Sequence, residues 1–126
     1  MRELQPSQLA RLTQIDYDRE IALIATRSNQ SGVAETLGVV RAVGDPDNEQ
    51  AEFAITIRSD LKGQGLGTLL MTKLIADCRR RKTQELIGYV LTENLAMRAL
   101  ARKFGFENKS VEGEAMSLLR FRLDQS

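Results

Sequence analysis

The chain has 126 residues, enough for one domain with a real core and too few for two. Its 18 basic and 17 acidic residues leave a net charge of +1, which argues against a sequence-independent grip on nucleic acid, while one cysteine and no histidine exclude an internal disulfide, cysteine-rich zinc sites, a Ser-His-Asp triad and an H-E-x-x-H metal site. No apolar run approaches the ~20 residues of a membrane span and the N-terminus lacks the apolar stretch of a signal peptide, so a soluble, cytoplasmic domain is expected, with acid-base chemistry left to Glu, Asp, Lys, Tyr or the lone thiol of Cys78.

Leu9, Leu12 and Ile15 recur at near-helical spacing after Pro6-Ser7, which predicts a short helix over 7–15, broken by Asp16-Tyr17-Asp18-Arg19. Ile21 to Thr26 and Thr36 to Val43 read as strands joined through Ser28-Asn29-Gln30-Ser31-Gly32, a hairpin. After the turn Gly44-Asp45-Pro46-Asp47-Asn48, a third strand from Gln50 to Arg58 alternates, with Phe53, Ile55 and Ile57 on one face and Glu52, Ala54 and Thr56 on the other. From Leu66 to about Lys82 the positions Leu66, Leu69, Leu70, Leu74, Ile75 and Cys78 trace one helical stripe, and Arg79 to Lys82 suit the negative end of its dipole. Leu86 to Thr92 is a strand, Asn94 to about Phe104 a helix stopped by Gly105, and Ala115 to Leu123 a last strand. This order implies a mixed sheet with helices packed on its faces.

The chain is organised around Arg58-Ser59-Asp60-Leu61-Lys62-Gly63-Gln64-Gly65-Leu66-Gly67-Thr68, where a strand ends and the long helix begins. Gly63, Gly65 and Gly67 remove side chains where the first helical amides have no intrahelical partner, so those N–H groups can face an anion, most simply a phosphate. Neither a dinucleotide fingerprint nor a P-loop fits: the third glycine falls one position early for the first, and Gly67 is followed by Thr68-Leu69 rather than lysine.

Lys62-Gly63-Gln64-Gly65-Leu66-Gly67 at such a joint resembles the acetyl-CoA pyrophosphate loop of the GNAT acyltransferases, and Asn94 to Leu100 followed by Lys103-Phe104-Gly105-Phe106 resembles their second signature. Leu12 to Glu20, Ala51-Glu52-Phe53-Ala54 and Arg58 to Gly63 are similar to the C-terminal acetyltransferase domain of bacterial protein lysine acetyltransferases that carry an acyl-CoA-synthetase-like (NDP-forming) region. The resemblance implies an α/β (α+β) GNAT fold, a mixed, mostly antiparallel sheet flanked by helices. It is expected to lack the usual first strand and helix before residue 1, residues 1–126 being a single domain excised from a longer chain or a shortened member. It also implies acetyl-CoA as co-substrate without a metal, and a protein lysine acceptor of the acetyl-CoA synthetase type. A non-catalytic acetyl-CoA sensor and a small-amine acetyltransferase are the alternatives.

Mapped onto this sequence, the resemblance assigns Lys62, Gly63, Gln64, Gly65, Leu66, Gly67 and Thr68 to the diphosphate, a backbone amide of Thr56 or Ile57 to the thioester carbonyl and Asn94 to the pantetheine arm, where its plain reading is a helix N-cap. Lys62 replaces the usual Gln or Arg, and Ala101 stands where many members carry the tyrosine that protonates the thiolate. That role would fall to water, Tyr89 or Tyr17, and the CoA thiol, with an ordinary pKa near ~8.5, leaves well without it. A lysine amine titrates near ~10.4, so neutralising it at pH 7 costs about 4–5 kcal/mol and a base is useful. Glu52 is the candidate, directly or through one water, with partial burial expected to raise its pKa; its plain reading is an exposed strand residue. Asp16, Tyr17 and Asp18 either form an acidic lip for a substrate lysine or end the first helix. Arg79 to Lys82 either cap a helix or meet the 3′-phosphate, and Cys78 belongs to the core stripe.

Overall fold

The computed structural model describes residues 11–61, 65–110, 113 and 115–124. In chain order it contains β1 (Arg11–Asp16), β2 (Glu20–Ser28), β3 (Ala34–Gly44), β4 (Gln50–Ile57), a 3-10 turn (Ser59–Leu61), α1 (Leu66–Arg80), β5 (Glu85–Leu91), α2 (Leu95–Phe104), β6 (Glu107–Ser110) and β7 (Met116–Arg122). The strands form one sheet in the order β1-β2-β3-β4-β5-β7-β6, antiparallel everywhere except between β4 and β5. The mixed α+β architecture expected from the sequence is therefore present. No helix among the described residues is long and apolar enough to cross a membrane.

One expectation is corrected and one strand is added. The predicted helix over 7–15 is, from residue 11 onward, the edge strand β1, running antiparallel to β2 from Arg11 opposite Thr26 to Asp16 opposite Ile21. Residues 7–10 lie outside the described residues. Leu12 packs against the core while Ile15 emerges on the other face, so their three-residue spacing reflects two faces of a strand, not one face of a helix. β6, which the sequence reading left unassigned, is fully exposed and owes its extended form to its ladder with β7.

One face of the sheet carries Leu23, Val40, Phe53, Leu86 and Leu119, and both helices pack on it in a single core. α1 buries Leu66, Leu70, Leu74, Ile75 and Cys78 of the stripe read from the sequence together with Met71, while Leu69 is partly buried, and α2 adds Met97 and Ala101. Gly67 lets the helices meet: a Cβ there would sit 3.0 Å from Leu100 Cδ2. Both helices end in the same motif. Thr83 N–H bonds back to the Cys78 carbonyl, with Lys82 at φ 64°, and Phe106 N–H to that of Ala101, with Gly105 at φ 92°. The opposite face, bearing Val43, Glu52, Ala54, Thr56, Tyr89 and Leu91, carries neither helix.

Candidate active site

The parallel ladder between β4 and β5 is short. It joins Gln50 to Glu85, Ala51 to Leu86 and Glu52 to Ile87, and then stops. Beyond that rung β4 runs to Ile57 held only by β3, and β5 runs to Leu91 held only by β7, so the sheet splits. Just past the last rung, Phe53 and Gly88 are packed together. The Phe53 ring lies against Gly88 so closely that a Cβ on the glycine would stand 2.6 Å from Cε1 and 2.7 Å from Cζ. Edge-on contact with Phe106 at 5.5 Å, itself stacked on Phe121 at 4.9 Å, holds the ring in place.

The split leaves backbone donors without a sheet partner, and the ladder phase says which. Arg58 N–H reaches the Leu37 carbonyl and Gly44 N–H the Arg19 carbonyl. With the regular β3–β4 register, this turns the even-numbered amides of β4, including Thr56, toward β3 and the odd-numbered ones, Ile55 and Ile57, toward the opening. Of the two amides the sequence reading left open, Thr56 is spent on the sheet and Ile57 faces the gap.

At the far end of β4 the Arg58 guanidinium clasps both oxygens of Asp60 at 2.7 Å and reaches Glu35 at 3.2 Å, fixing the entry to the glycine joint. These contacts hold the Asp60 carboxyl below its ordinary range and the guanidinium above its own. Lys62, Gly63 and Gln64 lie outside the described residues. Gly65 precedes α1 at φ 86°, a left-handed conformation that favours glycine, and offers no side-chain cap. The first intrahelical bond is Leu69 N–H to the Gly65 carbonyl at 3.0 Å, so the amides of Leu66, Gly67 and Thr68 remain at the positive end of the dipole. Lys103 of α2 brings its ammonium to 3.4 Å from Thr68 Oγ1, adding a full charge that the sequence reading did not assign.

Glu52 stands on the last β4–β5 rung, at the throat of the opening, on the helix-free face. It is exposed, so the partial burial expected of it is absent. Tyr89, two residues past the same rung on β5, is exposed on the same face. Asn94 caps α2, its Oδ1 accepting from Met97 N–H at 3.1 Å. Ala101 is buried beneath α2.

Several candidates are drawn elsewhere. Asp16, Tyr17 and Asp18 lie at the β1–β2 turn, at the opposite end of the sheet from the joint, and Asp16 is tied to Gln14 at 2.9 Å and Arg81 at 3.0 Å, which hold its carboxyl below the usual range. The arginines at the end of α1 have partners of their own: Arg79 lies over the Phe121 ring at 5.6 Å, Arg80 pairs with Asp77, and Arg81 reaches the Tyr17 carbonyl at 2.9 Å. Burial, helped by the Asp77 charge, pushes the Cys78 thiol up to about 11 and keeps it un-ionised.

A mostly antiparallel sheet that opens after one short parallel ladder, with a glycine-entered helix at the end of the first split strand, is the GNAT fold. The chain belongs to the acetyltransferase (GNAT) domain family, whose model matches residues 2–107. It is 32% identical over 106 residues to an acetyltransferase of Pseudomonas aeruginosa, covering 84% of this chain and 56% of that protein, and so spans just over half of that relative's length. Among solved structures it is similar to a cAMP-binding acyltransferase from Mycobacterium smegmatis, with 26% identity and a TM-score of 0.72 over 87% of this chain and 33% of the other. A phosphinothricin acetyltransferase from Sinorhizobium meliloti, solved in complex with AcCoA, shares the fold at 17% identity, with a TM-score of 0.66 over 82% of this chain and 60% of its own.

Proposed function

We propose that this domain transfers an acetyl group from acetyl-CoA to the ε-amino group of a protein lysine by direct attack, with proteins of the acetyl-CoA synthetase type as acceptors. The observation that carries the reading is Glu52 on the last rung before the sheet opens, with unpaired amides along one side of the opening and a helix N-terminus at its far end. The amides of Leu66, Gly67 and Thr68 take the diphosphate, and the Lys103 ammonium adds charge beside them. From Ile57 back to Glu52 is five residues of strand, about 17 Å at ~3.3 Å each, a length that an extended pantetheine arm spans. Asn94 keeps its side-chain N–H donors for that arm, its oxygen being used by the cap.

With the acyl end toward the throat, an outward-turned amide of β4 lying between Ile57 and Glu52, such as that of Ile55, donates to the thioester carbonyl, where negative charge builds in the transition state. Glu52, directly or through one water, takes the proton that the attacking amine must lose. The carbon–nitrogen bond forms, the carbon–sulfur bond breaks, and the electron pair leaves on the CoA sulfur. Ala101 has no proton to give, and Tyr89, on the neighbouring strand β5 and the same face as Glu52, is the phenol nearest the throat. The open setting of Glu52 suits an acceptor carried on a macromolecule.

Incubation with acetyl-CoA and a panel of acyl-CoA synthetases, read by intact mass, should add single acetyl groups to an acceptor. Acetyl-CoA binding by calorimetry without any acetylated acceptor would overturn the transferase reading in favour of a sensor. Turnover on free amines alone would overturn the lysine assignment.

A further inference from the structure

A cleft of about 370 Å³ lies at the other end of the sheet, where three turns meet the C-terminus of α1. Its floor is apolar: Ile21, Ala42, Ala51 and Cys78 line it and none is more than 5% exposed. It is separate from the candidate active site, because Ala51 faces the helices while its neighbour Glu52 points to the opposite face. One wall is braced by Asn48, which donates to the Arg81 carbonyl at 2.7 Å and accepts from the buried Thr83 hydroxyl at 2.7 Å.

The charges around the rim are not equally occupied. Arg81 is spent on Asp16 and the Tyr17 carbonyl. Asp45 uses one carboxylate oxygen on the Glu49 N–H and has the other to offer. Among the described residues, neither Asp18 nor Arg19 has a side-chain hydrogen bond or ion pair. The opening thus presents two carboxylates beside the negative end of α1 and one guanidinium, all above an apolar floor. A cation and an anion held close together on a small aliphatic body complement that pattern, and the volume, near the small end of ligand pockets, favours a compact molecule.

We infer that this cleft binds a free α-amino acid with a short aliphatic side chain: ammonium to Asp18 and Asp45, carboxylate to Arg19, side chain on Ala42, Ala51 and Cys78. The ligand would touch the start of β4 and the end of α1, the two elements that carry Glu52 and the glycine joint. The inference stands apart from the transferase reading, since binding alone tests it.

Amide chemical shifts of the chain are followed while L-valine, isobutylamine or isovalerate is added. Saturable shifts with L-valine, centred on residues 18–21 and 44–51, are expected, with either half-molecule at least about tenfold weaker. Arg19→Gln, at an exposed position, should remove the advantage of L-valine over isobutylamine, and Asp18→Asn with Asp45→Asn its advantage over isovalerate. The inference is overturned if L-valine gives no saturable shift, if the shifts centre on residues 65–68, or if Arg19→Gln leaves the affinity unchanged.

Discussion

Replacing Gly88 by alanine tests the close packing of Phe53 on β5 where the sheet opens. The new Cβ would stand 2.6, 2.7 and 3.0 Å from three atoms of the Phe53 ring, a rigid group with no flexible end to swing away. The ring cannot retreat easily, being 4% exposed and seated against Phe106, which is stacked on Phe121. Overpacking of this kind costs about 1–3 kcal/mol. Removing glycine's freedom from the unfolded chain returns about 0.4–1 kcal/mol, so the net loss should be about 1–2 kcal/mol. At about 3–5 °C per kcal/mol for a domain of this size, Tm should fall by about 3–10 °C. Thermal melts and urea titrations would measure it, and Phe53→Leu provides the control. In that background Gly88→Ala should cost at least about 1 kcal/mol less, because the two residues are in contact. A Tm equal to that of the parent, or the same loss with and without the ring, would refute this packing.

Glu52→Gln should lower kcat at neutral pH by about 10²–10⁴ while calorimetry finds acetyl-CoA affinity unchanged; full turnover would remove Glu52 from the base role. Lys103→Gln should weaken acetyl-CoA binding about two- to fivefold, and less at high salt, as a screened charge near a helix N-terminus would. For Cys78 the sign follows from a folded pKa of about 11 against an ordinary 9.0: its contribution is complete below pH 9 and is lost as pH rises toward 11. The shift corresponds to roughly 2–3 kcal/mol, so urea midpoints below pH 9 and near pH 11 should differ less in Cys78→Ala than in the parent. Equal pH slopes in the two proteins would contradict the buried thiol.

The local elements that were legible share one property: their signal lies within a single turn or a single alternation. α1 was readable because six apolar side chains recur at helical spacing and its stripe packs on one sheet face. β4 was readable because Phe53, Ile55 and Ile57 turn toward the helices while Glu52, Ala54 and Thr56 turn away. β1 misled for the converse reason, since Leu12 and Ile15 mimic a helical step although each serves a different face. The strand exists because β2 offers it a ladder, a long-range partner that local periodicity does not encode.

The site divides in the same way. The glycine joint and Glu52 were singled out from residue type together with the family resemblance, and the structure places Gly65 at φ 86° before α1 and Glu52 on β4 next to buried Phe53. Gly88 was missed in the sequence reading, although an isolated glycine inside a strand is a general sign of close approach; that the Phe53 ring is what approaches only the structure shows. Lys103 carried no such sign, because which face of α2 meets α1 depends on Gly67 admitting Leu100.

By itself the sequence determined the order of most strands and helices, the helix entered through glycine and the absence of histidine and disulfide chemistry, since these follow from residue type and short-range spacing. Only the tertiary structure decided where β4 and β5 part, that Ile57 rather than Thr56 faces the gap, that Glu52 is exposed at its throat, and that Asp16 and the arginines of α1 serve the opposite end. The physical reason is that each of these depends on contacts between residues far apart in the chain, such as Phe53 with Gly88 and Asp16 with Arg81.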